Sequence, residues 1–300
     1  MSEQAVTRAA ILRARAEAAA AALPPLLLAR GSVTMTATPG GHGLRRPGVG
    51  EDFWQYRPAH AGDSARSIDW RRSARGDSEF IRDRERQTMR SAAIWVGRGA
   101  GMGYGGQRMG RGAKAEGETK SDRARLIALA LGLSLIRAGE RVGMLGEPPG
   151  SGAAQAENLS LALARPDLLR EDDDQPDPAA IRPGQAVVLI DDFLSNDNAL
   201  NEFLKLVSSG GGEGAMLQVL HPDEEEFPFS GAVRFESAGG RIHETRDAHG
   251  LRAAYLARLE ARRTALAQAA RQAGFVFGTH DLAHPVSDAL IWLHGVLSAR

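Results

Sequence analysis

Ala186-Val187-Val188-Leu189-Ile190-Asp191-Asp192 is a run of five apolar residues that ends in two carboxylates. Alternation of apolar and polar residues would mark a strand with one wet face, whereas an unbroken apolar run marks a strand covered on both faces. Other runs repeat the pattern on either side of it. Residues 92–96 (Ala-Ala-Ile-Trp-Val), 141–145, 215–220 and 275–278 read as further strands. Between and after them, residues 120–138 read as an amphipathic helix with Leu126, Leu129, Leu133 and Ile136 on one side. Residues 198–208 (closed by Gly210-Gly211-Gly212), 250–273 and 285–299 read as helices. Strands alternating with helices predict an α/β fold with a mostly parallel sheet and helices on both faces. Trp95 and Trp292 are expected in its core.

Upstream of residue 91 the character differs. An Ala-rich helix is predicted over 3–23, stopped by Pro24-Pro25. A β-branched, alternating strand follows at 33–38, before Pro39-Gly40-Gly41, and another extended piece at 79–86. The division expected is therefore 1–90, an N-terminal helix with a small β-rich appendage, and 91–300, the α/β domain. The Gly-rich stretch 97–118 and the acidic, Pro-rich stretch 170–183 read as mobile surface loops.

Composition bounds the function. Three hundred residues with 43% hydrophobic content supply ample core. Lys plus Arg equals Asp plus Glu at 37 each, so no global positive field draws nucleic acid or an anionic membrane. With no cysteine there is no disulfide, thiolate nucleophile or cysteine-bound zinc. The longest apolar run near the N-terminus, 18–29, is broken by Pro24-Pro25 and is shorter than the ~20 residues that span a bilayer. A cytoplasmic protein without membrane insertion is expected.

The densest chemistry lies between Gly50 and Arg75. Phe53, Trp54 and Trp70 favour burial, yet they stand among Arg57, Asp63, Arg66, Asp69 and Arg75, which resist it unless paired. The predicted resolution is a turn or hairpin at Gly62-Asp63 in which guanidinium forks grip carboxylates under aromatic faces. Arg66 and Asp69 are expected in one buried or half-buried ion-pair network. This cluster either staples the appendage in place or presents a docking surface, since Trp, Tyr and Arg dominate binding hot spots.

The same string resembles the signature of the bacterial domain of unknown function 58 family, G-x-x-F-x-x-x-R-x-Y-x-x-G-D-x-x-R-x-I-D-W-x-x-x-A-R. Gly50, Phe53, Arg57, Gly62, Asp63, Arg66, Ile68, Asp69, Trp70, Ala74 and Arg75 fill matching places. Downstream, His221-Pro222-Asp223-Glu224-Glu225-Glu226-Phe227-Pro228-Phe229-Ser230-Gly231 resembles the family's D-P-x-E-x-x-F-P-F-x-G, with His221 at the first Asp. The resemblance implies a von Willebrand factor A-like, Rossmann-type domain and a MoxR-type AAA+ ATPase as partner.

Domains of that type hold magnesium with D-x-S-x-S after the first strand, a Thr on a neighbouring loop and an Asp after a later strand, all hard oxygen ligands. Here Gly97, Gly99 and Gly101 stand at the three D-x-S-x-S places, with Met102 matching the residue that follows. Asp192 survives at the later Asp place, and Asp191 reads as a helix N-cap or a solvated loop residue. A degenerate adhesion site with no bound metal and no cofactor is expected.

Two rivals remain. One is a metal-dependent hydrolase using Asp191, Asp192 and a His. The other is a nucleotide-binding module on the 97–106 loop, whose Gly101-Met102-Gly103-Tyr104-Gly105-Gly106 spells G-x-G-x-x-G but has no helix opening inside it. His280 and His284 are four apart, with Pro285 against a continuous helix. The reading adopted is a non-catalytic adaptor for the ATPase, with no nucleic-acid partner. Its candidate docking residues are Arg98 and the signature set Phe53, Arg57, Asp63, Arg66, Asp69, Trp70 and Arg75.

Overall fold

The N-terminal helix α1 (Glu3–Ala21) ends ahead of Pro24-Pro25, where proline's missing N–H and fixed φ forbid continuation. The computed structural model describes residues 3–21, 23–28, 53–58, 70–73, 80–84, 91–106, 117–165, 175–182, 184–195, 197–210, 212–236 and 242–298. Two compact units emerge, residues 31–89 and residues 1–30 together with 90–300. The units thus fall differently from a division at 90/91, because α1 belongs with the α/β unit. Its small residues Ala16 and Ala20 are buried in that unit's core.

In the unit 31–89, β1 (Phe53–Pro58) precedes a single turn of helix, α2 (Trp70–Ser73), and β2 (Phe80–Arg84). β1 and β2 pair antiparallel, Pro58 opposite Phe80 and Arg57 opposite Ile81, with an irregularity between Phe53 and Gln55. The extended piece at 79–86 is therefore present, but Trp70 opens a helical turn rather than a strand. Its side chain is 59% exposed, not buried. One turn of helix has one inward side, and Ser73 takes it: Ser73 is buried and its Oγ accepts the Phe80 N–H at 2.9 Å. The strand expected at 33–38, the Gly62-Asp63 turn, the Arg66–Asp69 pair and Arg75 lie outside the described residues.

The α/β unit continues with β3 (Ser91–Val96), α3 (Lys120–Arg137), β4 (Arg141–Met144), α4 (Gly152–Leu163), β5 (Gln185–Asp191), α5 (Asp197–Ser209) and β6 (Glu213–Leu220). A short α6 (Pro222–Glu226), the hairpin β7 (Val233–Glu236) and β8 (Ile242–Thr245), α7 (Ala248–Gln272), β9 (Phe275–Asp281) and α8 (Val286–Ser298) follow. The five-stranded sheet has the order β4-β3-β5-β6-β9, with every pairing parallel. Ile94 lies opposite Val188, and Val188 opposite Ala215.

Alternation along each strand divides the core in two. Ile94, Val188, Ile190, Ala215 and Leu217 face α1, α3, α4 and α8, while Trp95, Val187, Leu189 and Met216 face α5 and α7. Helix α3 differs from expectation. Instead of one apolar side it is buried almost all round, Leu126 to Leu131 without a break. It packs against the sheet and against α1, α4 and α8 together, so it has no face left for water.

Candidate functional site

The strand order reverses direction between β3 and β5, since the chain moves outward to β4 and then returns across β3. Open α/β sheets gather ligands at such a point, outside the carboxyl ends of the strands. Two loops meet there. After β3, residues 97–106 are held by a turn of 3-10 helix (Ala100–Gly103), so this part of the glycine-rich stretch is structured. Gly97 N–H donates to Ile190 O at 2.9 Å, and Lys120 N–H to Tyr104 O at 3.0 Å.

After β5 come Asp191 and Asp192. Neither caps a helix nor is solvated: both are 6% exposed. Asp191 Oδ2 accepts the Phe193 N–H at 3.1 Å, and Asp192 Oδ1 accepts the Leu194 N–H at 3.0 Å. Gln218 Nε2–H donates to the Asp192 carbonyl at 2.8 Å. Next to them Phe193 adopts a left-handed φ of 48°, a costly conformation for a bulky residue that persists only where the surroundings enforce it. Arg262 supplies part of that enforcement, donating from Nε to Phe193 O at 2.7 Å and from Nη2 to Ser195 O at 2.8 Å. Burial, and then the charge of Asp192, raise the pKa of Asp191 well above the ordinary carboxylate range.

The centre of the site is Lys120, whose side chain is fully buried. Its Nζ donates to Asp192 Oδ2 at 2.8 Å and to Glu224 Oε1 at 2.7 Å. Burial pushes the ammonium pKa down, but the two carboxylates outweigh it and hold the group above the ordinary lysine value, so it stays charged. Lys120 is the first residue of α3, a place where the helix dipole disfavours a cation. The helix compensates with a capping box, Thr119 Oγ1 accepting the Asp122 N–H at 3.0 Å and Asp122 accepting the Thr119 N–H at 3.3 Å.

Glu224 serves twice, because its Oε2 also accepts the His221 N–H at 2.9 Å. That makes His221 the N-cap of α6, with Nδ1 accepting the Asp223 N–H at 3.1 Å. The imidazole thus fills the capping role that Asp, Asn, Ser or Thr most often takes at a helix start. Tyr104 closes the arrangement. Its hydroxyl donates to Asp223 Oδ2 at 2.8 Å, its ring meets the His221 ring edge-on at 5.1 Å, and burial followed by the Asp223 bond raises its pKa.

One turn further along α3, Arg123 fastens the far side of the edge. It donates to Glu118 Oε2 at 2.7 Å, to the carbonyls of Leu282 and His284 at 3.0 and 2.7 Å, and from Nη1 to His280 Nε2 at 2.9 Å. Guanidinium can only donate, so His280 Nε2 accepts and the ring is neutral. Burial, then the Arg123 charge, lower the His280 pKa to about 4. The unfolded chain therefore takes up a proton below the ordinary 6.5 that the folded chain refuses. Stability is expected to fall by roughly 1–3 kcal/mol as pH drops through that window, after allowing for solvent screening. Urea melts across the window on wild type and His280→Gln check it. An equal slope in both would overturn the expectation.

The sequence-predicted residues are thus distributed unevenly. Asp191, Asp192, Gly97 and Gly101 converge, Arg98 is exposed on the same loop, and Met102 is buried beneath it. His280 meets the Arg123 guanidinium through its imidazole Nε2, and His284 only through its backbone carbonyl. Among the described residues, the α-helix that follows the G-x-G-x-x-G is α3, which begins at Lys120 and not inside the glycines, where a pyrophosphate site needs its helix N-terminus. Among the described residues no group of three or more His, Asp or Glu could hold a metal ion. Sequence reasoning missed Lys120, Glu224, Tyr104 and Arg123. A usable signal existed: Thr119-Lys120-Ser121-Asp122-Arg123 is a capped helix start carrying two cations against its dipole.

A family model described as protein of unknown function DUF58 matches residues 55–265. No curated protein matches the chain. Among solved structures, an aerotolerance-related membrane protein from Bacteroides fragilis is 15% identical with a TM-score of 0.39, covering 68% of this chain and 98% of its own. The conserved hypothetical protein BatB from Bacteroides thetaiotaomicron is 15% identical with a TM-score of 0.38, covering 67% and 94%. Among the described residues no helix is long and apolar enough to cross a membrane.

Proposed function

The chain belongs to the DUF58 family of proteins of unknown function, and on that premise we propose that it is a non-catalytic, von Willebrand A-like adaptor working in the cytoplasm with a MoxR-type AAA+ ATPase. The observation that carries the reading is the closed state of the carboxyl edge. Where an open α/β sheet would bind a substrate or cofactor, Lys120, Asp192, Glu224, Asp223 and Tyr104 satisfy one another. A nucleophile or general base needs a free lone pair facing a ligand, and the carboxylates of this edge accept hydrogen bonds from Lys120, Tyr104 and the His221 backbone. The partner's identity comes from the resemblance of the signature and of residues 221–231 to the family.

An adaptor needs a rigid edge with exposed groups. This edge presents Leu194, 41% exposed, beside a loop fixed by five hydrogen bonds from Phe193, Leu194, Gln218 and Arg262. Arg98 is exposed on the neighbouring loop, where a guanidinium can meet a partner's carboxylate directly. Binding through such a pair is expected to weaken with salt and to be insensitive to chelator. Co-purification of the ATPase from lysate, with and without ATP, checks this in magnesium and in chelator for wild type and Arg98→Ala. Retention in chelator with loss in Arg98→Ala is expected. Failure to retain an ATPase in magnesium, or binding that needs divalent cation while Arg98→Ala is unaffected, overturns it.

A further inference from the structure

We infer that Lys120 supplies, from within the chain, the cation at the carboxyl edge that a divalent metal supplies in metal-bearing domains of this architecture. The residues present do not fit a metal. A Cβ on Gly97 would overlap the Asp191 carboxyl group, so a ligand side chain has no room there. A Cβ on Gly101 would lie 2.7 Å from Asp192 Oδ2, the oxygen that already receives Lys120 Nζ. At positions 97 and 101 the space that ligand side chains would fill is taken, by Asp191 and by the carboxylate–ammonium pair respectively, while position 99 is open.

The geometry around Nζ is that of an ammonium and not of a metal centre. Its carboxylate distances of 2.8 and 2.7 Å are charge-assisted hydrogen bonds, whereas magnesium would draw the same oxygens to about 2.1 Å. Two acidic residues from different segments, Asp192 after β5 and Glu224 in α6, are bridged by one buried positive charge. That bridge takes over a metal's structural role, tying the ends of β5 and β6 to the start of α3. Unlike a metal it has no exchangeable coordination position, and full burial keeps a partner's carboxylate from reaching it. The edge is complete without an ion and stays complete in chelator.

This inference concerns the chain alone and stands or falls apart from the adaptor reading. Calorimetric titration of the full chain with manganese and with magnesium, together with thermal melts in chelator and in each ion, tests it. Wild type is expected to give no saturable heat into the millimolar range and no shift in Tm. Stoichiometric binding that disappears in Asp192→Asn would overturn the inference. Lys120→Ala leaves Asp192 and Glu224 facing each other without a cation. It is expected to bind manganese at least about tenfold more tightly than wild type, since affinity follows ligand charge, and to regain Tm on its addition. A folded Lys120→Ala that responds to manganese no more than wild type overturns the inference as well. Should that variant not fold, the wild-type titration decides alone.

Discussion

Lys120→Met is expected to cost roughly 3–5 kcal/mol of stability, the usual penalty for removing one partner of a buried ion pair. The substitution nearly preserves side-chain volume, so the loss is electrostatic. Asp192 and Glu224, with side chains 9% and 17% exposed, would keep their negative charges in a site that no longer pairs them. Urea denaturation followed by circular dichroism measures it, and an unchanged midpoint would sink the idea. A triple variant, Lys120→Met with Asp192→Asn and Glu224→Gln, is expected to recover most of the loss. Replacing a whole buried charge cluster by neutral groups is often close to neutral, whereas breaking it is not.

Gly97→Asp is expected to destabilise by a similar amount, roughly 3–5 kcal/mol, and to confer no affinity for divalent cations. On paper it restores the first acidic ligand of D-x-S-x-S. In the fold its Cβ would overlap the Asp191 carboxyl group, and its carboxylate would add negative charge beside Asp191 and Asp192. Both effects oppose folding, one steric and one Coulombic. The three glycines are not equivalent, however. A Cβ on Gly99 would meet nothing within 4 Å, so Gly99→Ser is expected to be tolerated. Parallel urea melts of the two variants, each with and without manganese, check the contrast. A stable, manganese-binding Gly97→Asp would show that Asp191 can move aside.

Much of the fold was legible because its signals are local. Continuous apolar runs marked β3, β5 and β6, and the expected helices over 120–138, 198–208, 250–273 and 285–299 match α3, α5, α7 and α8 closely. α4, α6 and the β7–β8 hairpin went unread. α6 is five residues and the hairpin strands four each, too short for either period to show. Trp70 was misjudged for a different reason. An aromatic residue's preference for burial is an average, and the side on which a single helical turn presents it depends on neighbours distant in sequence.

At the site the division is sharper. From the chain alone came the absence of side-chain oxygens at positions 97, 99 and 101, the surviving carboxylates at 191 and 192, and the motif containing Glu224. Those are matters of residue type and spacing. What only the tertiary structure decided is where the compensating charge comes from. Lys120 is 72 residues from Asp192 and 104 from Glu224, and no periodicity links three such positions. The parallel sheet brings them together because its strands all end on one edge, and its helices return across a face to start beside that edge. A lysine at the start of a helix reads as a solvated surface residue until the sheet places two carboxylates against it. Burial then makes the pairing obligatory, because an ammonium withdrawn from water is stable only with opposite charge at hydrogen-bond distance.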